Sequence, residues 1–223
     1  MKHPLILLSG MGADARVFSA QAAAIPELVV APWIAPMPQE SLSSYAARLA
    51  KRVDPGEPCF VGGASFGGFV ALEMIRHLDV ISCFLIGSIR SPKELPRRIT
   101  ILRNVSSVSG ALPFEVAGML SKLALASAGA LSSDHARGLL SQMSEADSSF
   151  LRWACRAVLE WKGTPSTGGV PIHHIHGQDD QVLPQDMTHP DSVVKGAGHA
   201  LSMSHPQDVT EFLIRHMRQD MAK

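Results

Sequence analysis

The chain predicts an α/β domain: a parallel sheet flanked by helices on both faces and interrupted by a helical insertion. Three observations carry that expectation. Short segments apolar throughout, such as LILLS at 5–9 and VISCFLI at 80–86, read as strands buried on both faces. Segments of helical period separate them, as crossover connections between parallel strands require. Between about Lys93 and Lys162 the alternation stops, helical patterns follow one another without a convincing strand, and β and α then resume. The core is therefore expected over 1–92 and 163–223, with 93–162 as a helical cap insertion.

Each element has a local reason. LILLS runs into Gly10-Met11-Gly12, a strand followed by a tight loop, and Asp14 can cap a helix over about 15–24. Residues 28–31 form a second strand, closed by the Pro-rich APWIAPMPQ. Ser41 starts SLSSYAARLAKRV, with Leu42, Tyr45, Ala46 and Leu49 at helical spacing. A third strand near 59–61 leads into GGASFGG and a further helix, and 80–86 is the fourth strand. Inside the insertion, helical patterns cover about 112–127, 134–143 and 145–161. Residues 170–176 and 191–194 read as strands, and 206–218 as the last helix.

Composition narrows the function. Of 223 residues, 46% are hydrophobic and 18% charged, which suits a buried core and argues against disorder. Lys+Arg and Asp+Glu balance at 20 each and no basic stripe stands out, so neither nucleic acid nor a membrane surface is an expected partner. The N-terminal apolar run of four residues is too short for a signal-peptide core or a bilayer span. Three cysteines in apolar surroundings then read as reduced thiols of a cytoplasmic protein, and no pair has metal-ligand spacing. No oligomeric state is implied.

The chemistry concentrates in Gly63-Ala64-Ser65-Phe66-Gly67, a G-x-S-x-G match between a strand and a helix. A sharp strand-to-helix turn needs neighbours without Cβ bulk and projects its serine at the C-terminal edge of the sheet, where the next helix's N-terminus favours negative charge. A serine nucleophile also needs a base, an acid to orient that base, and donors for an oxyanion. His199 lies in VVKGAGHALSMSHP just past a strand. Asp179 and Asp180, in IHHIHGQDDQVLP, lie just past another. All belong on one edge of a parallel sheet, in the chain order Ser, Asp, His.

These motifs together resemble the α/β-hydrolase fold superfamily over nearly the whole chain outside the insertion. SGMG resembles the oxyanion loop, GASFG the nucleophile elbow, and HGQDDQVLP and GAGH the acid and base loops. The resemblance implies about six strands, mostly or wholly parallel, since the two leading strands of larger relatives have no counterpart. The family's G-x-x-D-x-x-x-P pattern falls on Gly177, Asp180 and Pro184 and selects Asp180 as the triad acid. The same matching assigns the backbone N–H groups of Met11 and Phe66 to the oxyanion hole. Two departures stand out. Ser9 occupies the place where many relatives have His, and the loop after the second strand lacks the common Asp-x-x-Gly-x-Gly-x-Ser form.

Two other readings of the same residues are weaker. Gly10-Met11-Gly12 with Ala15 fits G-x-G-x-x-A, yet VVAPW at the end of the next strand lacks the acid that a dinucleotide ribose needs. His174 and His176 share one face of a strand with Asp179 nearby, but the ligand set of a metallohydrolase is incomplete. The expectation is a serine hydrolase of a small, largely apolar carboxylic ester or thioester, a small-molecule substrate. Neither metal nor organic cofactor is required. Trp33, Met187 and Met203 are candidates to line its pocket, and activity should rise through about pH 6–7 as a histidine base loses its proton. The alternative is a non-enzymatic hydrolase-fold protein binding a small apolar ligand in the same place.

Overall fold

A computed structural model describes residues 3–97, 99, 133–164 and 166–222. The strands among them are β1 (Leu5–Leu8), β2 (Leu28–Val30), β3 (Cys59–Ala64), β4 (Val80–Ile86), β5 (Ile172–Gly177) and β6 (Ser192–Val194). They form one sheet in the order β2-β1-β3-β4-β5-β6, with every adjacent pair parallel. From β1 the chain first steps outward to β2, then crosses back to β3 and proceeds the other way. The reversal leaves a crevice beyond the C-terminal ends of β1 and β3, where open α/β sheets place their ligands.

Among the described residues the helices are α1 (Ser19–Ala24), α2 (Leu42–Val53), α3 (Phe66–Met74), α4 (Ser133–Glu145), α5 (Ser148–Glu160), α6 (Leu201–Ser204) and α7 (Pro206–Met221). The helix expected over 15–24 is divided: Ala15–Phe18 is a 3₁₀ turn, started by the Asp14 carboxylate accepting the Arg16 N–H, and α1 follows. The third strand runs on to Ala64 instead of stopping near 61, because its glycines still pair with β4. The short α6 had no separate sequence signal. The helical pattern at 112–127 lies outside the described residues.

Alternation along the strands sorts the core into two layers. Ile6, Leu8 and Val61 face α2, α3 and α5, whereas Leu5, Leu7, Phe60 and Phe84 face α7 with Phe212 and Leu213. Helix α3 is buried along its whole length, between the sheet on one side and α2 and α5 on the other. Asp147 accepts the N–H groups of Ser149 and Phe150 and so opens α5. That helix packs Phe150, Trp153, Ala154 and Val158 into the same apolar layer as α2 and α3. Trp153 is buried and its indole N–H donates to the Glu40 carbonyl at 2.8 Å. With that donor satisfied, little offsets the roughly 1.5–3 kcal/mol that burial of a large apolar side chain contributes.

Candidate active site

Ser65 sits at the junction of β3 and α3 with φ 51° and ψ −119°, a left-handed conformation that costs a non-glycine residue about 1–3 kcal/mol. Neighbours on both sides hold it there. Its N–H donates to the Ile86 carbonyl at 3.0 Å, and its carbonyl accepts from the Gly68 N–H at 3.0 Å and the Ser88 hydroxyl at 2.8 Å. The turn is tight enough that a Cβ on Gly63 would lie 2.3 Å from the Gly67 carbonyl carbon, and one on Gly67 would lie 2.2 Å from the Leu8 carbonyl oxygen. Glycine is required at both positions by contact with backbone that cannot move aside.

The Ser65 hydroxyl is 2.8 Å from Nε2 of His199, and Nδ1 of His199 is 2.7 Å from Oδ2 of Asp180. His199 follows β6 and Asp180 follows β5, so three strand ends bring together residues up to 134 positions apart. Asp180 is fully buried at its side chain, whereas Asp179 is exposed. Its other oxygen, Oδ1, accepts the N–H groups of Val182 and Leu183 at 2.8 and 2.9 Å. Burial alone would raise the Asp180 pKa. The His199 charge, hydrogen bonds from His176 and His199 and the Leu183 N–H outweigh it and hold the carboxyl below the usual carboxylate range.

The loop after β1 lies against the serine: a Cβ on Gly10 would be 3.7 Å from the Ser65 Cβ. The Ser9 hydroxyl donates to the Ala13 carbonyl at 2.7 Å and the Ala13 N–H to the Gly10 carbonyl at 3.1 Å, which closes the loop around Met11. Ser9 thus does the supporting work within the loop itself. Among the described residues no acceptor takes the N–H of Met11 or of Phe66.

A cavity of about 60 Å³ opens beside Ser65, lined by Met11, Val17, Leu139, Met143, His199 and Met203 among others. Of the pocket residues expected from the sequence, Met203 lines it. Trp33 instead lines a cleft of about 520 Å³ across the β1 loop, together with Phe150 and Asp147, and Met187 lines neither. Leu139 and Met143 were missed. They stand four residues apart on one face of α4, a spacing visible in the sequence, but nothing local says which cavity that face meets. Arg90, after β4, pairs with Asp191 at 2.7 Å. His174 and His176, the strand pair that suggested a metal, hydrogen-bond to each other at 3.0 Å.

Residues 5–212 match the model of the alpha/beta hydrolase family. Comparison with curated proteins finds no match. Among solved structures, similar folds include a thermophilic esterase from Thermogutta terrifontis (TM-score 0.74, 17% identity, 99% of this chain and 91% of that one). The N-acyl homoserine lactonase AidH complexed with N-butanoyl homoserine gives TM-score 0.73 at 18% identity, over 99% and 90% of the two chains. The esterase EaEST from Exiguobacterium antarcticum gives 0.69 at 15%, over 97% and 92%. At these identities the likeness is one of fold. The family match spans nearly the whole chain, and this protein belongs to the alpha/beta hydrolase family.

Proposed function

We propose that the protein hydrolyses carboxylic esters or thioesters of small, largely apolar acyl groups through Ser65, His199 and Asp180. The observation that carries this is the unbroken hydrogen-bond chain from the Ser65 hydroxyl through His199 to a buried carboxylate, at 2.8 and 2.7 Å. In this mechanism Nε2 of His199 takes the hydroxyl proton as Oγ attacks the acyl carbon. Asp180 holds the imidazole tautomer and stabilises the imidazolium. The N–H groups of Met11 and Phe66 stabilise the oxyanion. His199 then protonates the leaving alcohol or thiol, and water, with His199 again as base, releases the acid. Esterases and a lactonase among the similar folds support acyl chemistry of this kind.

The cavity beside Ser65 has room for roughly four water molecules, the scale of a short acyl chain. In this reading α4 acts as the cap over the cavity: it supplies Leu139 and Met143 to the wall and sets acyl length, while α5 belongs to the core layer. Three buried, unpaired thiols support a reducing compartment such as the cytoplasm. Among the described residues no helix is long and apolar enough to cross a membrane.

A series of p-nitrophenyl esters of graded chain length tests the proposal. Turnover should be best with short acyl chains, and Met143→Ala should extend acceptance to longer ones. Ser65→Ala and His199→Ala should each lose roughly 10³-fold or more in kcat, and the double variant little further, because the three groups act as a unit. Full activity in Ser65→Ala would sink the mechanism. A folded protein whose Ser65 resists a fluorophosphonate probe would favour the ligand-binding alternative.

A further inference from the structure

Behind Asp180 lies a second pair of buried titratable groups that the reaction as written leaves unused. His174 and His176 project from one face of β5, both with no solvent exposure. Nε2 of His176 is 2.8 Å from the Leu183 carbonyl and 3.1 Å from Oδ2 of Asp180, the same oxygen that receives His199. Two acceptors meet at that nitrogen, and neither can donate, so Nε2 carries a proton. Leu183 is held at both ends of its contact with this group, because its own N–H donates to Oδ1 of Asp180 at 2.9 Å. Nδ1 of His176 is 3.0 Å from Nε2 of His174, a contact that requires one proton between the two rings.

We propose that His176 is a positioning residue for Asp180: its Nε2–H pins the Leu183 peptide and lies against Oδ2, keeping the carboxylate charged and aimed at His199. His176 touches no reacting atom and acts only through Asp180. The inference rests on the triad reading above. The other charged or titratable neighbours are few. His199 faces Asp180 from the loop after β6, and His174 stands behind His176 on β5. Arg90, after β4, bears on His174 and is itself paired with Asp191, and Asp179 points to solvent. Burial, with the His176 and Arg90 charges added, depresses the His174 pKa to about 3, so His174 stays neutral and the proton on Nε2 of His176 has no competitor from that side.

The test combines two variants with a measurement on the unaltered protein. In His176→Phe, kcat per fluorophosphonate-titrated site should fall roughly tenfold, the scale on which loss of a buried charge-assisted hydrogen bond is felt. KM should change less than about twofold, because the substrate is not contacted. The acid limb of kcat/KM should move to higher pH by about half a unit, since a carboxylate that has lost a competing donor holds the His199 imidazolium more strongly. His176→Gln, which keeps an N–H at the same reach, should restore most of kcat and return the limb. In the protein labelled with ¹⁵N-histidine, Nε2 of His176 should stay protonated from pH 5.5 to 8.5. An unprotonated Nε2, or a folded His176→Phe with wild-type kcat and an unmoved limb, overturns the proposal. The NMR readout stands without any activity. Retained turnover in Ser65→Ala would condemn the triad reading separately.

Discussion

Asp179 and Asp180 are neighbours of identical chemistry in very different surroundings. Only Asp180 is enclosed, accepts two peptide N–H groups on one oxygen, and offers the other to His199. Asp180→Asn keeps the shape but places an amide where the imidazole needs an acceptor. It should lower kcat by on the order of 10³-fold or more, whereas Asp179→Asn should stay within about twofold in the same ester assay. The reverse ranking would reassign the acid. Sequence alone separated the two aspartates only through the family pattern ending at Pro184. The serine and histidine were legible from their glycines and strand ends, because those signals are local. The hydroxyl of Ser88, which anchors the strained Ser65 carbonyl, was not: a serine after a strand has no mark that says which backbone it will meet.

At the level of elements, helix positions occupied by glycine divide by what lies above them. Helix α3 approaches the end of β1 so closely that a methyl on Gly67 would collide with the Leu8 carbonyl, and the clash is with backbone. Gly138 in α4 is different: among the described residues nothing lies within 4 Å of where its Cβ would stand. Gly67→Ala should therefore destabilise by about 1–3 kcal/mol or more and impair turnover with it. Gly138→Ala should stabilise by about 0.5–1 kcal/mol through helix propensity alone. Urea denaturation of both variants checks the contrast, and equal effects would mean that α3 can move off the strand at little cost. Strand and helix identity was largely legible, since buried parallel strands are apolar throughout and helices show their period. The packing of α5 as part of the core layer was not, because an amphipathic helix shows that it has a buried face without showing against what.

For the molecule as a whole, His174, one of the two buried histidines on β5, links stability to pH. His174 accepts a proton near pH 3 when folded, while a histidine in an unfolded chain does so near 6.5. Between those values the unfolded state binds more protons, so stability is complete above about pH 6.5 and falls as pH drops towards 3. Asp180, whose folded pKa is also depressed, adds a loss of the same sign at still lower pH. Urea midpoints measured from pH 8 to 4 should decline through this interval, and His174→Gln should decline less steeply. Identical slopes would show that His174 does not set the acid limit. The sheet order itself carries a last consequence. Ser65 leaves the third strand and His199 the sixth, so a ribosome-bound chain halted after β5 already carries Ser65 and Asp180 but lacks the proposed base, His199. In the proposed mechanism, attack by Ser65 has to wait until the far edge of the sheet has docked, because the ends of distant strands must first be brought together.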